Sequence, residues 1–251
     1  MPTIDSPPIQ AIFALAHREL IRFFRQRSRV IGGLVQPVIF WLLFSEGLKQ
    51  SDLGYEHFFP GTLVMILLFT AVFSTVSVIE DRNEGFLQGV LVAPVSRLAI
   101  AMGKLLGGSA IAMVQGLLFL LLGWVTGTVS ITTPIDGLLV LATMALIAIA
   151  LTGLGFTLAW KMGSTQGFHA IMMVFVMPLW LLSGAFFPRG AEGWLGGVVV
   201  MNPLTYGVAG LRHNLGGSGL EDLPSEPLCL AITASFALVM TILSWFVSEM
   251  G

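Results

Sequence analysis

Read for its alternation of apolar and polar positions, the chain shows six apolar runs, over residues 30–48, 60–79, 105–126, 137–160, 168–187 and 228–247. Each approaches the roughly 20 helical residues that cross a hydrocarbon layer about 30 Å thick. Backbone amides in lipid must be satisfied within the segment, so each run predicts a membrane-spanning helix. Ahead of them, residues 9–29 repeat at helical spacing. Projected at about 100° per residue, Arg18, Arg22, Arg25 and Arg29 fall on one side, with Ile9, Phe13, Ala16, Leu20 and Phe23 opposite. This is the pattern of a basic amphipathic helix, with Arg27 on its apolar side. It suits either a bed of anionic headgroups or a bracket to a cytoplasmic partner.

Two interruptions do not read as plain loops. Residues 80–104 gather six charged side chains, so this stretch is expected to face water. Within it Gly85, Phe86, Leu87, Val90, Leu91 and Val92 form a short amphipathic patch, ended by Ala93-Pro94 and followed by Ser96-Arg97. The patch predicts a short surface helix that offers its apolar side to another protein or rests on headgroups. Gly89 lowers its helix propensity by about 1 kcal/mol relative to alanine. The second interruption, residues 188–227, holds an apolar piece at 194–201 too short to span, then Asn202-Pro203, then 204–215. This predicts two half-helices that enter and leave by the same side, an arrangement tolerated where protein or a wet cavity encloses the backbone.

Finer features mark the spans. Pro37 and Pro178 predict kinks. The second run carries Thr62, Thr70, Ser74, Thr75 and Ser77, and the fifth carries Met172, Met173 and Met177. Hydroxyls in such helices mostly bond their own or a neighbouring backbone, and methionines mostly fill cores. Thr70, Ser74, Met172 and Met173 are nevertheless the candidates for lining a pathway. Pairs at four-residue spacing, Gly103/Gly107 and Gly123/Gly127, predict close helix approach.

Composition fixes the class. The 251 residues are 55% hydrophobic and 10% charged, with a mean hydropathy of +0.89, more apolar surface than a soluble domain of this length could hide. The chain is therefore read as an integral membrane protein. Net charge is −2, with no basic face able to neutralise a run of phosphates, so nucleic acid is not an expected partner. A single cysteine, Cys229, excludes an internal disulfide and a cysteine-built metal site. The opening residues show no signal-peptide pattern, so the N-terminus is expected to be retained. With that terminus inside, one side receives Arg18, Arg22, Arg25, Arg27, Arg29, Arg82, Arg97, Lys104 and Lys161, and the other only Lys49, Arg189 and Arg212. This bias predicts cytoplasmic termini and a cytoplasmic 80–104 segment.

Catalytic patterns are missing. No phosphate-binding loop of P-loop type occurs, since Gly103-Lys104 is followed by leucine. Ser183-Gly184 with His213 or His169 does not match an intramembrane serine protease. The acidic and histidine residues fall mostly in loops, which argues against a metal site and against an ion-coupled carrier. A secondary carrier and a membrane enzyme remain the alternative classes.

The run E-D-R-N-E-G-F-L with L-V-A-P-V-S-R, then L-S-G-A-F-F-P at 182–188 and N-P-L-T-Y-G-V-A-G-L-R at 202–212, resembles the permeases of ABC-2-type transporters in order and spacing. The likeness is greatest to drug-efflux (daunorubicin-resistance) and nodulation-factor export permeases. It implies an all-α membrane protein in two parts: a cytoplasmic lead and interface helix (1–29), and a six-span transmembrane domain (30–251). It further implies a coupling helix between spans two and three, formed with Glu84, Gly85, Phe86, Leu87, Leu91, Pro94 and Arg97, which fits a cleft of an ATPase. Asn202, Pro203, Tyr206 and Arg212 would belong to the re-entrant turn. The resemblance also implies a dimeric permease, with itself or a paralogue, working with two copies of a separate ATPase that binds ATP and magnesium. This chain would then need no cofactor and would export a drug, lipid or lipid-linked glycan across a bacterial inner membrane. No fused ATPase or large external domain is expected.

Overall fold

In a computed structural model, the residues described are 8–47, 54–93, 95–185, 193–216 and 223–250. Pro94, Lys49 and Arg189 lie outside them. Among the described residues the fold is all-α, and six helices are long and apolar enough to cross a membrane.

Helix α1, Pro8–Arg25, stops short of the predicted end at Arg29. The chain turns at Gln26, whose N–H bonds Phe23 O at 3.0 Å, and α2, Arg27–Gly47, begins the first span. The break lets α1 lie along one neighbour and α2 along another, so Arg29 belongs to the spanning helix.

The second span, Tyr55–Asn83, is the axis of the bundle, with 89% of its most apolar window buried. It comprises α3, Tyr55–Ser74, and α4, Val76–Asn83, which meet at Thr75. There the hydroxyls of Ser74 and Thr75 return to Ala71 O and Val72 O at 2.7 and 2.6 Å. The helix starts ahead of Pro60, the first residue of the apolar run. The carbonyl that proline leaves unpaired is that of Glu56, on an exposed turn. After α5, Phe86–Val92, the third span α6, Arg97–Val125, starts eight residues before its apolar run. Its first turn is fixed by Ser96, whose hydroxyl accepts from Ala99 N at 3.2 Å.

The fourth span α7, Pro134–Lys161, opens with a reciprocal cap between Thr133 and Asp136. The fifth, Thr165–Ala185, is irregular: α8, Thr165–Ile171, a π-helical stretch Met172–Val176, α9, Met177–Trp180, and a second π-helical stretch Leu181–Ala185. Pro178, which cannot donate to the ladder, sits between the two widened turns. Helices α10, Trp194–Met201, and α11, Pro203–Asn214, form the bent pair, at 76° to one another. The sixth span is α12, Glu226–Met250.

The core between α2, α3 and α6 is aromatic. Phe59 stacks on Phe119 with centroids 4.5 Å apart, and Trp41 meets both edge-on. The outer spans are different: only 17% of the corresponding window of α2 and 22% of that of α12 is buried. Their apolar outer faces, such as Ile31 and Leu43 on α2 and Leu238 and Phe246 on α12, are exposed. For a chain that sits in lipid, that is the expected state.

Candidate functional site

The densest chemistry lies where α1, α4 and α6 meet at one end of the bundle. Helix α1 can approach α6 because Gly103 and Gly107 face it. A Cβ on Gly103 would stand 2.7 Å from Leu15 Cβ, and one on Gly107 would stand 2.8 Å from Glu19 Cβ. The four-residue glycine spacing therefore receives the amphipathic helix. That contact carries Glu19 down to Lys104, whose ammonium donates to Glu19 Oε1 at 2.7 Å, to Ser77 Oγ at 3.1 Å, and to Asp81.

Asp81 is the hub. Its side chain has no solvent exposure, and it accepts from Arg18 at 2.8 and 3.0 Å and from Arg22 at 2.5 Å, besides Lys104. Arg22 also reaches Glu80 at 2.9 Å and Glu84 at 3.5 Å, and Arg29 reaches Glu80 at 2.5 Å from the first turn of α2. Four cations, Arg18, Arg22, Arg29 and Lys104, thus face four carboxylates, Glu19, Glu80, Asp81 and Glu84, and the formal charges cancel. Burial alone would weaken the hold of Arg18 on its proton. The hydrogen bonds and charge of Asp81, with those of Glu19, outweigh it and set its pKa above the ordinary value.

Helix α5 grows out of this network. Gly85 supplies the turn before it with φ of 80°, a left-handed conformation in which a side chain is strained. The Arg18 guanidinium then lies 3.7 Å over the ring of Phe86. Two further arginines fasten the flanks. Arg82 donates to Met162 O at 3.1 Å and to Trp160 O, at the C-terminal end of α7. Arg97 donates to Ser248 O at 3.1 Å and Glu249 O at 3.0 Å, in the last turn of α12. Both sit at the negative end of a helix dipole.

The singled-out residues separate as follows. Of the apolar residues on α5, Leu87 is 4% exposed and belongs to the chain's own core, while Phe86 and Val92 are open to the outside, Val92 at 86%. Leu91 is half-buried, and Pro94 lies outside the described residues. The stripe on α1 divides: Arg18 and Arg22 are ion-paired, whereas Arg25 is exposed. The 80–104 stretch does not face water throughout, since Asp81 and Lys104 are buried where two spans meet, and only its middle is exposed. Glu19, Asp81, Arg82 and Lys104 were not identified from the sequence as site residues, Arg82 and Lys104 having entered only the count of charges on each side. The available signal was opposite charge at the facing ends of two consecutive spans.

The pathway candidates separate too. Thr70 donates to Gln115 Oε1 at 2.5 Å, and Gln115 in turn donates to Val30 O at 3.1 Å. Thr70 lines a cavity of about 250 Å³ between α2, α3 and α8, with Arg29, Gln36, Pro37, Phe73 and His169. Ser74 is turned back on its own helix, Met172 is core, and Met173 is half exposed. In the bent pair, Asn202 caps α11 by accepting from Leu204 N at 3.0 Å and donates to Leu179 O at 2.6 Å. Pro203 takes the first helical position, Tyr206 donates to Val200 O at 3.1 Å, and Arg212 reaches His57 O at 3.4 Å. Among the described residues no three His, Cys, Asp or Glu side chains converge as a metal site.

Comparison with known proteins places this architecture. The chain is 28% identical over 215 residues to a protein of Cyanophora paradoxa named as a transport permease (ycf38), covering 81% of this chain and 73% of that one. It is 22% identical over 214 residues to a Mycobacterium tuberculosis protein named as a doxorubicin resistance ABC transporter permease, DrrC, covering 82% and 78%. It is 27% identical over 163 residues to an Escherichia coli K12 protein named as a multidrug ABC transporter permease, YbhR, covering 62% and 43%. The model of the ABC-2 type transporter family matches residues 10–215, so the chain belongs to that family and is an integral membrane subunit of an ABC transporter.

Proposed function

We propose that the chain forms the passage of an exporter whose ATP is hydrolysed by a separate subunit, two copies of each making the assembly. The observation that carries this is the state of α5, whose Phe86 and Val92 stay exposed while its flanks are tied to α1, α7 and α12. An exposed apolar knob on a braced base suits a cleft in a partner that must push. On this reading α5 is the coupling helix, and it and both termini lie in the cytoplasm of a bacterial cell. Glu84 and Arg97 belong to the bracing. ATP and magnesium sit on the partner, and this chain contributes no group to their chemistry.

The relatives named for doxorubicin resistance and multidrug transport support a hydrophobic or amphipathic cargo, a drug, lipid or lipid-linked glycan. The cavity by Thr70 and Gln36, between the first, second and fifth spans, is the candidate entry to the pathway.

The test is co-purification and reconstitution with the ATPase from a neighbouring reading frame. Cargo should stimulate hydrolysis and move only with nucleotide. Val92→Asp should abolish stimulation while the protein stays inserted and folded. Transport by the lone chain under an ion gradient would refute the reading.

A further inference from the structure

Among the described residues two cations, Lys104 and Arg212, are buried, and they are treated differently. Lys104, 4% exposed, has two carboxylates and a hydroxyl. Arg212, on α11, is 7% exposed and has no ion pair among the described residues. Among the described residues its Nε has no hydrogen-bond partner and its one bond is a long one, 3.4 Å from Nη2 to His57 O. His57 lies near the start of the second span and Asp81 near its end, so Arg212 sits about 36 Å from the charge network at 1.5 Å per residue.

Among the described residues, the acidic side chains at this end of the bundle form no ion pair with it. Glu226 accepts from Asn214 at 2.7 Å, Glu46 accepts from the hydroxyl of Tyr55 at 2.9 Å, and Glu56 is exposed. The dipole of α11 favours a cation in its last turn, but typically by less than the several kcal/mol that burying a bare charge costs. A guanidinium held in place with a donor unfilled is half of a fork made for an oxyanion.

We propose that Arg212 is an anion-binding residue, receiving a phosphate or carboxylate group at the end of the bundle opposite α5. Its chemistry is that of an acidic amphipath whose headgroup lies at the rim of the bilayer, or of the same anion free in water. The site does not depend on what powers the transporter.

The test uses the full chain purified in a zwitterionic detergent, with thermal unfolding read by tryptophan fluorescence. Three additions are compared: phosphatidylglycerol, phosphatidylcholine and inorganic phosphate. At about a hundredfold excess over Kd, phosphatidylglycerol should raise the midpoint by about 5 to 10 °C over phosphatidylcholine. Arg212→Lys should keep part of that shift and Arg212→Gln none. A variant carrying Arg25→Gln and Arg27→Gln, at the other end, should keep all of it. An equal shift with inorganic phosphate alone assigns the site to the free anion, and no such shift assigns it to the amphipath. The proposal falls if phosphatidylglycerol gives no shift, or gives the same shift in Arg212→Gln. It falls equally if that variant is destabilised alike in every addition, since the charge would then be satisfied by protein.

Discussion

Replacing Asp81 by asparagine removes one charge from the centre of the network and little volume. Asp81 accepts from Arg18, Arg22 and Lys104, with no exposure to solvent. After the change Arg18 and Lys104 keep Glu19, at 3.1 and 2.7 Å, and Arg22 keeps Glu80, at 2.9 Å. The junction is then left with one positive charge in excess. Removing one partner of a buried pair costs about 3–5 kcal/mol, and the remaining partners put the expected loss near the lower figure. Lys104→Met leaves the opposite excess. The double variant, Asp81→Asn with Lys104→Met, balances three cations against three carboxylates. It should therefore lose less than the sum of the single changes, by about 1–3 kcal/mol. The assay is equilibrium unfolding in mixed micelles followed by tryptophan emission. If Asp81→Asn costs under about 1 kcal/mol, or if the two changes simply add, the junction is not a coupled unit and the argument fails.

Four further outcomes follow from single positions. Leu87→Asp should lower stability by about 3 kcal/mol or more, because that side chain is core. Val92→Asp, on the same helix but exposed, should stay within about 0.5 kcal/mol of the parent in the same unfolding assay. Gly107→Leu should wedge α1 from α6 at a cost of about 1–3 kcal/mol. Protease access to the α1–α2 turn at Gln26 would report the separation, and unchanged cleavage would contradict the packing. Asn202→Ala should cost about 0.5–2 kcal/mol through loss of the α11 cap, with Asn202→Asp recovering part, measured by thermal unfolding.

The spans and the bent pair were legible because both depend on local facts, run length and the Asn202-Pro203 break. The arginine stripe of α1 was legible too, but not where it points. Rules for a basic helix look outward, to headgroups or a partner, whereas here the matching acids, Glu80 and Asp81, lie some sixty positions along the chain. They were masked by reading the whole 80–104 stretch as solvated. The same reading placed Lys104 in a loop, although Ser96 starts the helix early enough to put it inside α6. Leu87 shows the remaining difficulty. A seven-residue helix turns its apolar side toward the bundle as readily as away, and only the clamps on either side decide which residues stay outside.

Those clamps determine what α5 can transmit. On one side Arg18 joins its first ring to α1 and to the Asp81 hub. On the other, Arg82 and Arg97 hold the carbonyl ends of α7 and α12. A hydrogen bond from a charged donor contributes about 1.5–3 kcal/mol, so releasing either arginine costs more than thermal motion supplies. Among the described residues the non-helical backbone on either side of α5 is short, the left-handed turn at Gly85 and Val95–Ser96 before α6. On the proposed reading of α5 as a coupling helix, a load on Val92 beyond what these two places absorb would pass to α1 through the charge network and to α7 and α12 through the two arginines. α12, like α2 next to α1, leaves most of its apolar window outside the bundle, while its inner face packs along α7, α11 and α6, so a displacement of α12 would be carried into those helices.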